Sequence, residues 1–241
     1  MTRAAAAVVL VAAAVAATGC QTTQELSAHR AKNAKKLANR TGLRITRANP
    51  DVKVGTTDIV QDASGVAAVV EVRNAGRPAV GLPVLIAVTD KRGKRVYAND
   101  APGLEPSLVS LPYLRKGQRA FWVDNQIPAV GGASKVRATI GAARGAAPAK
   151  VPEFSITRVA LGRDSSGALL KGYIANRSAV DQKRLVISCV ARRGGRVVAA
   201  GRAIVDRLGP KGAKPQLFRI FFIGNPKGAK LTLFAPPTVL R

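Results

Sequence analysis

The sequence predicts an all-β protein, two tandem β-sandwiches at 51–146 and 147–241 behind an N-terminal address and tether. Three observations predict it. Sliding the chain by 102 residues aligns its halves without a gap over 48 positions, nine of them identical. Turn signals built on Gly, Asp and Pro recur at the roughly 8–12-residue spacing of sandwich strands, and no strong helical period follows the tether. Hydrophobic residues make up 47% of the 241-residue chain but aromatics only 4%, so its core is built mostly from Ala and Val. That is enough for a modest β-rich core and too much for a disordered chain.

The first element is an address at 1–19. Arg3 supplies one positive charge, and Ala4 to Ala17 is an unbroken apolar run. As a helix that run spans about 21 Å, short of the ~30 Å hydrocarbon core, so it reads as a signal-peptide segment rather than a permanent span. It ends at Ala17-Thr18-Gly19-Cys20, which resembles the lipobox of bacterial lipoproteins, with Ala at 17 where Leu is usual. The resemblance implies that Cys20 is diacylated and becomes the mature N-terminus. Its acyl chains would then hold the protein on the outer side of the cytoplasmic membrane or another envelope membrane.

Residues 20–50 follow as a lipidated cysteine and a basic tether. From 21 to 50, seven basic residues face Glu25 alone, a net +6. Its apolar residues are Leu26, Leu37 and alanines, too few to bury in a core. The segment reads either as a helix on anionic headgroups or as a solvated spacer. His29, the only histidine, lies here, which leaves the β region no His-based triad or metal cluster.

In the first copy, Val66–Val72 and Val84–Val88 are Val-rich runs of strand length. Asp62-Ala63-Ser64-Gly65 and Lys91-Arg92-Gly93 are turns, the Asp accepting nearby backbone N–H groups and the Gly supplying positive φ. Asn99 to Gly117 holds about seven residues more than the second copy has there. Its apolar residues, Leu108, Leu111 and Tyr113 among them, either fold back as an edge strand or meet a partner. Trp122 reads as a packing residue. Gly141 to Pro152, rich in Gly, Ala and Pro, reads as a linker. The second copy repeats the strand pattern at Ala168–Ala175, Leu185–Val190, Arg196–Ala200, Leu217–Ile223 and Leu231–Phe234, with Cys189 as a small buried hydrophobe.

Gly172-Tyr173-Ile174-Ala175-Asn176-Arg177-Ser178, an apolar strand, then Arg192-Arg193-Gly194-Gly195-Arg196-Val197-Val198 resembles bacterial immunoglobulin-like FxLYD-type domains. Asp90 to Val96 carries the middle motif in the first copy. Arg192 stands where that family has Asp, and neither copy has the Phe-x-Leu-Tyr-Asp string. The resemblance implies an immunoglobulin-like fold and no particular chemistry.

No catalytic frame is legible. The 13 carboxylates are scattered, Ser134 and Lys135 are strand neighbours that point to opposite faces, and two cysteines make neither a disulfide framework nor a zinc site. The sequence therefore predicts a non-enzyme without cofactor or metal.

Charge is the remaining signal. Lys and Arg total 39 against 13 Asp and Glu, a net +26. Residues 51–146 carry 13 basic and 8 acidic groups, and 147–241 carry 18 and 4. Arg192, Arg193, Arg196, Arg202, Arg207, Lys211 and Lys214 are the candidate anion-binding patch, unless the charge is merely compositional. The expected partners are the membrane and acidic envelope polymers; nucleic acid is disfavoured, because stacking aromatics are missing. The alternative is an accessory subunit that docks on a membrane protein complex through the 99–117 loop.

Overall fold

Strands begin where the alignment begins. The first half runs β1 (Val52–Asp62), β2 (Gly65–Asn74), β3 (Ala79–Asp90), β4 (Arg95–Ala98), β5 (Ser110–Leu114), β6 (Arg119–Ile127), β7 (Ala133–Ile140) and β8 (Gly145–Ala146). The second runs β9 (Phe154–Asp164), β10 (Gly167–Asn176), β11 (Gln182–Arg193), β12 (Arg196–Leu208), β13 (Gln216–Phe221), β14 (Ile223–Gly224) and β15 (Lys230–Phe234). The computed structural model describes residues 41–128, 132–165 and 167–241, in which the only helix is the single 3-10 turn Pro106–Leu108. The apolar run, Cys20, His29 and the tether as far as Arg40 lie outside the described residues.

The protein is an all-β sandwich in which all pairing between strands is antiparallel. In the first half, one sheet is ordered β1-β2-β6, and β3 pairs with β4 and β7 along its second part. The second half repeats both arrangements as β13-β10-β9 and β14-β12-β11-β15. The extra residues of the first half become β5, which folds back on the start of β3 with Leu82 opposite Leu111. The stretch expected to be a linker also pairs, since β8 sets Gly145 against Val80.

The expected turn chemistry is present. Asp62 Oδ1 accepts the Ser64 N–H at 2.7 Å, and Asp90 Oδ1 accepts from Arg92 and Lys94 at 2.8 and 2.9 Å, with Gly93 at φ 82°. Asn74 and Asn176 close the turns that follow β2 and β10. Asn74 Nδ2 donates to the Arg77 carbonyl and Asn176 Nδ2 to the Val180 carbonyl, both at 2.8 Å.

Those two turns correct the gapless alignment. The first donates three residues ahead and the second four, because the second loop is one residue longer. Strand offsets are therefore 102 for β1/β9 and β2/β10 but 103 for β3/β11. Side-chain direction agrees. Leu82, Val84, Ile86 and Val88 enter the first core, and Leu185, Ile187, Cys189 and Ala191 enter the second. The matches of Val84 with Val186 and Val88 with Val190 thus pair residues on opposite faces, since a one-residue shift reverses every side chain of a strand.

Each half fills the space between its sheets with its own apolar cluster, and Thr41–Arg241 close into one compact unit. A third cluster joins the halves. Val60, Ala67, Val69, Phe121 and Val123 on the outer face of the β1-β2-β6 sheet meet Val190, Ala200 and Ile223. This explains why Val66–Val70 is continuously apolar rather than alternating: β2 is buried on both faces there. Gly224 sits at the seam with φ 91°, its N–H donating to Asp62 Oδ2 at 2.7 Å. A Cβ there would come within 2.3 Å of the Val198 carbonyl oxygen and 2.6 Å of Val60 Cγ1.

Candidate functional site

The seven cations of the expected patch do not share a surface. Arg192 turns into the seam, its guanidinium 4.5 Å from the Phe121 ring centre and 3.4 Å from Glu71. Arg193 donates to the backbone carbonyls of Asn225 and Lys227. Arg207 pairs with Asp181 at 2.9 Å. Arg202 is withdrawn from solvent, its side chain 3% exposed. Arg196, Lys211 and Lys214 are exposed, but Arg196 opens β12 whereas Lys211 and Lys214 follow its far end. Arg196 and Arg207 lie eleven residues apart on β12, roughly 36 Å along an extended strand. Composition registers a cation whether it faces solvent or a carboxylate, and here two of the seven, Arg192 and Arg202, are drawn into the seam.

Of the two readings of the 99–117 loop, the structure has it folded back, as β5 on β3. Leu108, Leu111 and Tyr113 are 4%, 3% and 4% exposed and cover the protein's own interior. The 3-10 turn within it serves the seam. The Ser107 carbonyl accepts the Trp122 indole N–H at 3.0 Å, and Glu105 takes Arg184 at 3.2 Å and Arg202 at 3.5 Å.

Around Arg202 lies a buried polar cluster. Its Nη1 meets Glu105 and Ser107, while its Nε and Nη2 have no hydrogen-bond partner. Asp124, fully buried, accepts from the Tyr97 hydroxyl at 2.8 Å and the Gln126 N–H at 2.9 Å. Burial pushes the Asp124 carboxyl above its ordinary range, although both hydrogen bonds and Arg202 oppose that. Glu105 moves the other way. Burial would raise it, but hydrogen bonds from Ser107 and Arg184 and the nearby charge of Arg202 hold it below its usual value. Burial of the Arg202 guanidinium weakens its hold on its proton, with Glu105 and Asp124 resisting. Arg202 and Asp124 are buried, whereas Glu105 and Ser107 also line a cleft of about 230 Å³ with Lys183 and Arg184; the cluster ties β12 of the second half to the first. Cys189 is fully buried, with its thiol pushed up to about 12.

The main clefts are modest. One of about 360 Å³ lies between Tyr113, Arg115 and Gln118 on one side and 152–156 and 233–237 on the other, crossed by the Arg115–Glu153 pair at 3.1 Å. Tyr113, Arg115 and Glu153 are its only titratable side chains. Among the described residues, no group of three or more His, Cys, Asp or Glu is placed to hold a metal ion, and no helix is long and apolar enough to cross a membrane.

The remaining feature is a sheet face that the described residues leave largely uncovered. On the outer side of β13-β10-β9, three cross-strand pairs follow one another: Tyr173 with Leu217, Lys171 with Arg219 and Leu169 with Phe221. Tyr173, Leu217 and Phe221 are 37%, 45% and 40% exposed and Lys171 and Arg219 are exposed, whereas Leu169, at one end of the row, is buried. A bulge in β9 places Arg158, at φ 51°, with its guanidinium 5.9 Å from the Tyr173 ring centre. The corresponding face of the first half carries Val69 opposite Val123 and is buried beneath the second half. Sequence reasoning missed these residues, although Val69 aligns with Lys171 at the 102-residue offset. No family model and no curated protein matches the chain.

Proposed function

We propose that the protein is a non-catalytic, lipid-anchored component of the bacterial cell envelope. It holds two immunoglobulin-like halves on the outer side of the membrane for binding to anionic components of the envelope. The observation that carries this reading is the apolar run Ala4–Ala17 ending in Thr18-Gly19-Cys20. The net +14 of residues 147–241 supports the anionic partner, since such charge attracts polyanions at long range whether or not it is gathered into one patch. Cys20→Ser is the test. The variant should leave the membrane fraction, and mass spectrometry of the wild type should find diacylglycerol on Cys20. An unmodified Cys20 together with full membrane retention of the variant would overturn the reading.

A further inference from the structure

We infer that the open face of the β13-β10-β9 sheet docks flat on an anionic lipid bilayer. The duplication supplies the comparison. The same face in the first half is apolar at its centre, Val69 beside Val123, and a second β-sheet covers it. In the second half the centre is Lys171 beside Arg219, flanked by Tyr173, Leu217 and Phe221. A face meant for another apolar sheet would keep the valines, and a second copy of this chain at net +26 would be repelled by the cations.

Exposed aromatic and aliphatic side chains with interspersed cations are what an anionic membrane interface accepts. The apolar groups enter the headgroup boundary and the cations meet lipid phosphates. The charge is one-sided. Arg158, Lys171 and Arg219 rise from this face, and Asp164, at the hairpin between β9 and β10, is the one carboxylate on the three strands. Reach is not limiting. The twenty residues after Cys20 that precede Thr41 can extend up to about 70 Å. The inference rests on the lipid-anchored reading only for bringing the protein to a membrane.

The test supplies the membrane directly and so stands or falls apart from the fate of Cys20. Phe221→Trp in the full chain places an indole on the face, with buried Trp122 as an internal constant. The readout is quenching by vesicles with dibrominated acyl chains, phosphatidylglycerol mixed with phosphatidylcholine or phosphatidylcholine alone. The expected result is quenching and a blue shift in the anionic vesicles only. Each membrane-facing cation is worth roughly fivefold, so Lys171→Ala with Arg219→Ala should lower the docked-to-free ratio about 30-fold. Lys135→Ala with Arg137→Ala, exposed on β7, should leave it within about twofold. If Phe221→Trp does not fold, Leu217→Trp reports on the same face. Absent quenching, or equal loss from the β7 pair, overturns the proposal. So does an equal emission shift from soluble poly(glycerol phosphate) without vesicles, which would assign the face to a polymer. Self-association without lipid, abolished by Leu217→Ser, would assign it to a second copy and also overturn it.

Discussion

Arg202 shows how one side chain can hold two halves of a chain together. It rises from β12 of the second half, and its carboxylate partner Glu105 belongs to the first. Replacing it by Ala leaves the buried Asp124 without its nearby cation and Glu105 with Arg184 alone. Removing one member of a buried pair costs about 3–5 kcal/mol. We expect Arg202→Ala to lose stability of that order in urea titrations at pH 7. The pH dependence has a definite sign. The folded-state pKa of Glu105 is depressed, so its contribution is present above its ordinary 4.5 and is lost as pH falls through the lower folded value. Asp124 is raised, so its ionised form weighs against folding as pH rises past its ordinary 3.8. Both carboxylates need the cation less once protonated. The deficit of Arg202→Ala should therefore narrow on acidification, and a pH-independent deficit would show that Arg202 acts by packing alone.

At the scale of elements, β2 and β10 begin from one pattern and end in different surroundings. Val69 of β2 and Lys171 of β10 share a place in the repeat, yet Val69 is fully buried and Lys171 is exposed. Val69→Ala removes two buried methyl groups and should cost about 2 kcal/mol. Lys171→Ala should stay within about 0.5 kcal/mol of the parent protein. Denaturant midpoints at unchanged slope measure both, and equal costs would mean that the seam adds nothing to β2. The single extra residue between β10 and β11 matters equally. It turns Val190 outward into the third cluster while Cys189 takes the inward position. That cluster exists because the outward faces of β11 and β12 are apolar at Val190 and Ala200.

For the molecule as a whole, the seam couples the halves. It combines the third apolar cluster, the Arg192–Glu71 pair, the Arg202 cluster and the hydrogen bond from Gly224 to Asp62. Separating the halves would expose Phe121, Val123 and Val190 and strand several charges. We expect the full chain to unfold in one transition, with calorimetric and van't Hoff enthalpies equal. Two resolved transitions would show that each half keeps its own stability.

The sequence by itself determined the all-β class, the duplicated strand order, the Asp-capped turns at Asp62 and Asp90 and the inward place of Cys189, and it left two readings of the 99–117 loop that β5 decided. These rest on local physics: side-chain alternation, turn geometry and apolar content. Only the tertiary structure decided which second faces are covered. An apolar run such as Val66–Val70 shows that both faces are dry, not what dries them. A gapless alignment with nine identities conceals a one-residue insertion, because identity counts are blind to which way a side chain points. Charge composition is likewise blind to partners. Arg192 and Arg202 read as surface cations until the fold sets Glu71 and Glu105 beside them, whereas Lys171 and Arg219 gain meaning only because none of the described residues lies over them.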